Sequence, residues 1–129
     1  MKLNNIKKQA GLTLIEVTLV IAVLLGLISV LFIGVSAYRE GSNRAKCILN
    51  ISNVQKAVRS YQNLYELVPT SPLADTAIIG TGKMLETAPA CSSGGAYAYL
   101  AAVPAVGTPY VSCSLAASLN HVPSSLTGW

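Results

Sequence analysis

An uninterrupted apolar run constrains this chain more than any other feature of its sequence. The 21 residues from Val17 to Ala37 carry no charge, and most of them are Leu, Ile, Val or Ala. As an α-helix this run would be about 31 Å long, which matches the hydrocarbon thickness of a bilayer. Because a helix that is apolar on every side suits lipid, we predict a membrane-inserted helix. Glu16, directly before the run, is the one charge that this interpretation must explain.

The charge pattern argues against nucleic-acid binding and predicts a topology. The formal net charge is +4, but three of the nine basic residues (Lys2, Lys7 and Lys8) precede the apolar run. Beyond Gly11 there are six basic and five acidic residues, too even a balance for the dense basic face that phosphate contacts require. Basic residues flank the cytoplasmic end of a membrane span, so we expect residues 1–11 inside the cell and residues 38–129 outside.

Residues 1–11, MKLNNIKKQAG, form a short polar leader. A secretory signal peptide would have an apolar run of about 7–15 residues and then a small-x-small cleavage site. The run here is longer, and no such site follows it at Val35–Gly41. Two interpretations stay open: an uncleaved signal anchor, or a cut at Gly11–Leu12 that leaves the apolar helix in place.

The junction between leader and helix carries a motif with several coinciding parts. KKQAG at residues 7–11 is followed by LTLIE at residues 12–16 and then by the long apolar helix. This arrangement resembles the class III signal of type IV prepilins and type II secretion pseudopilins. The resemblance implies cleavage after Gly11 by a membrane-embedded prepilin peptidase, with N-methylation of the new amino terminus at Leu12. The family most often has Phe at that position.

Glu16 has two interpretations. A glutamate near a helix start can reach the membrane interface and is favoured there by the helix dipole. The family resemblance implies a sharper role, in which Glu16 of one subunit faces the amine of Leu12 in a neighbouring subunit during filament assembly. We predict the assembly role.

The helix is expected to continue beyond the membrane as an amphipathic segment. Apolar residues recur there at intervals of 3 and 4, which forms one helical stripe. The stripe consists of Cys47, Ile51, Val54, Val58, Tyr61 and Tyr65, with Ile48 alongside. Because Pro69 cannot continue a helix and disfavours a helical Val68, we expect one helix from about Leu14 to about Leu67. Many type IV pilins have a helix-breaking proline in the apolar stretch, but no proline precedes Pro69 here.

The chain is therefore divided into a leader (1–11), a transmembrane or filament-core helix (12–37), the amphipathic half of that helix (38–68) and a small head (69–129). Residues 69–95 are rich in turn-forming residues and predict a loop, with a short helix or irregular segment within it. Ala96–Val103 and Tyr110–Leu115 are β-prone and predict an antiparallel hairpin. The fold class is α+β, and the resemblance implies a pilin-like packing of the long helix on the head.

Three cysteines outside the cytoplasm suggest one disulfide and one remaining thiol. Our predicted pair is Cys91 with Cys113, because the two flank the hairpin and their surroundings resemble the C-terminal region of short pilin-like proteins. The alternatives are Cys47 with Cys91, Cys47 with Cys113, or three free thiols in the core. A zinc site made by the three cysteines and His121 is conceivable by count, but no C-x-x-C spacing supports one. We predict no metal and no cofactor.

Nothing in the sequence groups residues for catalysis, and the isolated acids Asp75 and Glu86 are too few for a calcium site. We therefore expect a structural subunit and not an enzyme. The resemblance implies a homo-oligomeric helical filament with related minor pilins as partners. It also implies contact with prepilin peptidase and with a pilus or secretion assembly platform in the inner membrane. The alternatives are a pseudopilin of a type II secretion system and a monomeric, signal-anchored binding module.

Overall fold

The computed structural model describes Gly11 and residues 13–129. The predicted leader 1–10 and the predicted new amino terminus at Leu12 lie outside the described residues. The elements in chain order are helix α1 (Leu14–Leu64), helix α2 (Asp75–Ile78), strand β1 (Tyr97–Tyr99) and strand β2 (Val111–Cys113). One long N-terminal helix with a small two-stranded sheet confirms the predicted α+β class.

Helix α1 has 51 residues and ends in a hydrogen-bonded reversal. Glu66 has a φ of 51°, in the left-handed region that commonly follows the end of a helix. The N–H of Leu67 then donates to the carbonyl of Gln62 at 2.9 Å, which is the long bond of a Schellman motif. The helix therefore ends at Leu64 and not near Leu67, because this reversal stops it before Pro69 does.

The chain divides into two compact units, with the boundary between Ala37 and Tyr38. In the first unit, every side chain described from residue 13 to residue 37 is exposed. The hydroxyl groups within the apolar run donate to helix carbonyls three or four residues earlier at 2.8–2.9 Å. The hydrogen bonds of these side chains are therefore satisfied within the helix itself. These hydroxyl groups belong to Thr18, Ser29 and Ser36. By length and composition α1 is able to cross a membrane.

The second unit, Tyr38–Trp129, contains a hydrophobic core built on the amphipathic half of α1. The first part of the predicted stripe is fully buried in it. These residues are Cys47, Ile51, Val54 and Val58. Tyr61 is partly buried against the core, whereas Tyr65, beyond the helix end, is exposed. The rest of the core comes from α2, the loops and the hairpin: Leu73, Ile78, Cys91, Val103, Tyr110, Val111 and Cys113.

Strands β1 and β2 pair antiparallel, which confirms the predicted hairpin. Its register sets Tyr97 opposite Cys113, Ala98 opposite Ser112 and Tyr99 opposite Val111. Val111 and Cys113 are buried and Ser112 is exposed, as the alternation of a half-buried strand requires. Each strand is shorter than predicted, although one hydrogen bond at 2.9 Å continues the pairing at each end, from the N–H of Leu100 to the carbonyl of Tyr110 and from the N–H of Ser114 to the carbonyl of Ala96. Farther along, the backbone pairs with other segments. The N–H of Val103, for example, donates to the carbonyl of Ser71 at 2.9 Å.

A buried glutamine ties the hairpin to α1. The Oε1 atom of Gln55 accepts a hydrogen bond from the N–H of Tyr110 at 2.8 Å, and its Nε2 donates to the carbonyl of Thr108 at 3.2 Å. The Tyr110 ring is fully buried, and its hydroxyl donates to the carbonyl of Leu73 at 2.8 Å. Gln55 and the Tyr110 hydroxyl thus provide partners for backbone groups of the buried residues Tyr110 and Leu73, and they fix the start of β2 against the helix.

Candidate functional site

Glu16 lies in the first turn of α1 and forms a capping box with Thr13. The N–H of Thr13 donates to Glu16 Oε2 at 2.9 Å, and the N–H of Glu16 donates to Thr13 Oγ1 at 3.3 Å. This reciprocal pair satisfies two backbone donors at the helix start. Glu16 therefore has a partner within its own chain, which neither interpretation from the sequence included. The T-x-x-E spacing of residues 13–16 is the signal that would have predicted it.

The predicted processing site is placed only in part. Gly11 is described and exposed, whereas Leu12 is outside the described residues. The proposed partner of Glu16 in assembly is an amine on another subunit. Cleavage after Gly11, methylation of Leu12 and the assembly role of Glu16 therefore stay predictions.

The second unit brings together four side chains from four separate segments. Cys47 is on α1, Cys91 precedes β1, Cys113 ends β2, and His121 follows in the C-terminal segment. All four are buried, and their three sulfur atoms and one ring nitrogen lie within 4.8 Å of one another. Cys91 Sγ is 3.5 Å from His121 Nδ1 and 3.9 Å from Cys113 Sγ. We call these four residues the Cys/His cluster.

The local folding of each segment explains why these side chains converge. Cys47 belongs to the buried stripe of α1, and Cys113 is on the inward face of β2. Cys91 opens a tight turn in which the N–H of Gly94 donates to its carbonyl at 3.0 Å. The residue before His121, Asn120, has a φ of 57°, a left-handed conformation that Asn tolerates better than most residues. That reversal directs the following histidine into the core.

Further polar contacts hold the cluster from outside. His121 Nε2 is 3.0 Å from Glu40 Oε1, and the hydroxyl of Ser93 donates to the same carboxylate at 3.3 Å. This contact favours the tautomer in which Nε2–H donates to Glu40 and Nδ1 presents its lone pair to the sulfurs. The hydroxyl of Tyr97 donates to Cys47 Sγ at 3.3 Å. Two of the four cluster residues are thus oriented by side chains outside the cluster.

The cluster also shifts the pKa values of its members. Burial raises the pKa of the Cys47 thiol to about 12. Burial also disfavours the Cys91 thiolate, but hydrogen bonding to the backbone of Ser93 and Gly95 and the interaction with His121 outweigh it and lower the Cys91 pKa to about 7. Burial opposes a charged imidazole, yet the hydrogen bond to Glu40 raises the pKa of His121. The site therefore stabilises a thiolate at Cys91.

Gly95 allows the loop after Cys91 to approach the hairpin closely. A Cβ atom at this position would lie 2.9 Å from Cys113 Sγ and 3.0 Å from Leu115 Cγ. Real Cβ atoms do not make contacts this short, so a larger residue would displace the sulfur of Cys113. The glycine thus permits the spacing of the cluster.

The predicted disulfide partners are close but not bonded. All three cysteines are free thiols, and the 3.9 Å between Cys91 Sγ and Cys113 Sγ exceeds the disulfide bond length of about 2.05 Å. The Cys91–Cys113 pair stays a prediction. The structure adds that Cys47 and His121 lie in the same group. The number of cysteines and histidines in the sequence made such a group conceivable but did not place its members together.

No protein-family model, no curated protein and no solved structure matches this chain. Its function is therefore inferred from its residues and their geometry.

Proposed function

We propose that the protein is a structural subunit of a type IV pilus-like filament, with no catalytic role of its own. Before assembly it is a single-pass inner-membrane protein with a cytoplasmic amino terminus. Prepilin peptidase removes the leader after Gly11, and the assembly platform then moves the subunit into the filament. The observation that carries this proposal is that every side chain described from residue 13 to residue 37 is exposed.

These exposed side chains require a partner that the chain itself does not supply. Large apolar residues along the run, such as Phe32 and Ile33, are more than 70% exposed. Leaving each such side chain in water costs about 1.5–3 kcal/mol relative to burying it, so the run as a whole is strongly unstable in water. Lipid covers the helix before assembly, and neighbouring helices cover it in a filament. One exposed helix thus serves both states.

Small residues permit close contact between such helices. A Cβ atom added at Gly26 or Gly34 would meet nothing within 4 Å, so these glycines leave free space on the helix surface. Small residues let helices approach closely in lipid, where the hydrophobic effect does not drive helices together. This surface suits packing of α1 against copies of itself in the filament core.

Glu16 provides a specific electrostatic attraction between subunits in this assembly. Its capping bond uses Oε2, and a carboxylate has acceptor capacity on both oxygens, so capping and pairing with an amine are compatible. Opposite charges about 4 Å apart attract by about 4 kcal/mol at an effective dielectric of 20, before desolvation is subtracted. Pairing of Glu16 with the Leu12 amine of a neighbour would set the register of packed helices.

Substitutions at Glu16 distinguish the effect of its charge from the effect of its capping hydrogen bond. Gln at N3 of a capping box accepts the same hydrogen bond as Glu. We expect Glu16→Gln and Glu16→Ala to insert normally in the membrane but to yield at least about tenfold less filament, because losing 1.4 kcal/mol lowers an association constant tenfold. The measurement is the amount of subunit in the sheared surface fraction relative to the membrane fraction.

Thr13→Val is the matched control for this experiment, since it removes the hydroxyl of the capping box and leaves Glu16 charged. Its filament yield should equal that of the unaltered chain. Normal filament yield from Glu16→Gln would show that the charge has no role in assembly. Equal losses in Thr13→Val and Glu16→Ala, with normal yield from Glu16→Gln, would assign the effect to the cap.

A pseudopilin of a type II secretion system is the second candidate, and the unbroken course of α1 from Leu14 to Leu64 favours it. Many type IV pilins carry a helix-breaking proline in this stretch. The gene neighbourhood distinguishes the two machines, since a secretion ATPase gene supports the pseudopilin and a pilus ATPase gene supports the pilin.

A further inference from the structure

The Cys/His cluster uses every cysteine and the only histidine in the chain. The sequence contains three cysteines and one histidine among 129 residues, and all four meet in one buried place. A single disulfide would leave one cysteine over and would give His121 no role. A single metal ion bound by all four side chains would account for every one of them.

Two distances within the cluster match those of a tetrahedral zinc site, and the other ligand atoms lie nearby. Zinc binds thiolate sulfur at about 2.3 Å and imidazole nitrogen at about 2.0–2.1 Å, so tetrahedral geometry sets neighbouring sulfurs about 3.8 Å apart and sulfur about 3.5 Å from nitrogen. The cluster has 3.9 Å between Cys91 Sγ and Cys113 Sγ, and 3.5 Å between Cys91 Sγ and His121 Nδ1. No two of the four ligand atoms are more than 4.8 Å apart.

We propose that Cys47, Cys91, Cys113 and His121 bind one zinc ion as a structural Cys3His site. Three sulfurs and one imidazole are ligands that zinc prefers. Four protein ligands complete the tetrahedron and leave no position for a substrate, and all four side chains are buried. The site is therefore structural and not catalytic. It does not depend on whether the protein forms filaments.

The surroundings of the cluster match those of a metal site. Histidines that bind metals usually donate their other ring N–H to a carboxylate or a carbonyl, and His121 Nε2 meets Glu40 Oε1 at 3.0 Å. The Tyr97 hydroxyl donates to Cys47 Sγ at 3.3 Å, and the Ser93 hydroxyl donates to the Glu40 carboxylate. Glu40 is thus a positioning residue that orients His121 toward the ion.

The position of the site explains what the ion would contribute. The four ligands join α1, the loop before β1, the end of β2 and the C-terminal segment, which have only a small common core. A unit of about 90 residues buries a modest fraction of its surface, and small folds commonly add a disulfide or a metal. Zinc would connect the head to α1 at a point where the long loops are otherwise held by few regular elements.

Zinc and the predicted disulfide exclude each other, because a bond between Cys91 and Cys113 removes two of the three thiolates. Two measurements on the full-length protein, purified in detergent without reductant, separate them. Elemental analysis should find one zinc per chain. Thiol titration after denaturation with a chelator should find three free thiols. A metal-free protein would overturn the proposal, as would a single titratable thiol with a Cys91–Cys113 disulfide.

Variants test the ligand set. After the native metal is exchanged for Co²⁺ alone, the protein should show the strong visible absorption of tetrahedral cobalt bound to thiolates. Cys113→Ser and His121→Ala should weaken and shift this spectrum, whereas Ser112→Ala, an exposed neighbour on the same strand, should preserve it. A spectrum that is unchanged in both ligand variants would assign the metal to other residues.

Glu40→Ala provides a test that keeps all four ligands. Loss of its hydrogen bond to His121 should weaken Zn²⁺ binding by about 10–100-fold in competition with a chelator of known affinity. Glu40→Gln retains an acceptor for Nε2–H and should restore most of that affinity. If both variants bind zinc as tightly as the unaltered chain, Glu40 does not position His121, and this part of the proposal fails.

Discussion

Removal of zinc by a strong chelator is expected to abolish the cooperative unfolding of the head. Apparent zinc-binding free energies reach about 10–16 kcal/mol in zinc-finger peptides at neutral pH, whereas a whole domain has a net stability of about 5–15 kcal/mol. Without the ion, Cys47, Cys91, Cys113 and His121 would connect four segments through packing and hydrogen bonds alone. The measurement is near-ultraviolet circular dichroism during heating, which reports tyrosine packing in the head and not the helical signal of α1.

Three controls make this result specific to the proposed site. Adding Zn²⁺ back should restore the transition, whereas Ca²⁺ or Mg²⁺, which prefer oxygen ligands, should not. A reductant without a chelator should leave the transition in place, since no disulfide is involved. The Cys113→Ser variant, which keeps only three ligands and should bind zinc more weakly, should lose its transition at a lower chelator concentration than the unaltered chain. A zinc-depleted protein with an unchanged transition would contradict a structural role for the ion.

Truncation of Tyr110 is expected to have the second largest effect. Its ring is fully buried, and its hydroxyl donates to the carbonyl of Leu73 at 2.8 Å. Tyr110→Ala removes the ring and leaves a cavity, so we expect a loss of about 3–5 kcal/mol in the free energy of unfolding. Tyr110→Phe keeps the ring and removes only the donor to a buried carbonyl, with an expected loss of about 1–3 kcal/mol.

Urea unfolding of the zinc-loaded protein measures both losses. Val106→Ala is the matched control, because Val106 is 77% exposed in the loop before Tyr110 and should change the free energy by less than about 0.5 kcal/mol. Both tyrosine variants keep the N–H that donates to Gln55 Oε1. Equal stabilities for the Phe and Ala variants would mean that the ring contributes nothing to the core, contrary to its burial.

Local sequence patterns predicted the large elements of the fold. The 3–4 spacing from Cys47 to Val58 identified the buried face of α1, since such residues recur on one side of a helix. The β-prone residues Tyr110–Leu115 predicted strand β2, in which Val111 and Cys113 are buried and Ser112 is exposed. Both patterns are local, so no knowledge of tertiary contacts was needed.

Features set by specific hydrogen bonds were missed or misplaced. Gln55 is polar by type, yet it is 3% exposed because its amide meets the backbone of Thr108 and Tyr110. The end of α1 at Leu64 depends on a left-handed Glu66, a residue that is not a usual signal for this conformation. The capping box of Thr13 and Glu16 follows from the T-x-x-E spacing, a local signal that neither interpretation of Glu16 used.

The Cys/His cluster could not be located from the sequence. Zinc sites are usually recognised by closely spaced pairs of ligands, and Cys47, Cys91 and Cys113 lie far apart in the chain. His121 follows β2 by several residues and enters the core only through the reversal at Asn120. The composition shows only that three cysteines and one histidine are present as possible metal ligands. Their convergence depends on the packing of loops against α1, which no local pattern specifies.

The mass of the intact protein from the sheared surface fraction of cells tests the proposed function most directly. We expect a chain that begins at N-methylated Leu12, because in the proposed assembly removal of the leader frees the amine that pairs with Glu16. Glu16→Gln should yield a chain processed at the same position in the membrane fraction and little protein in the surface fraction. An unprocessed chain that retains Met1 and stays entirely in the membrane would contradict the proposal.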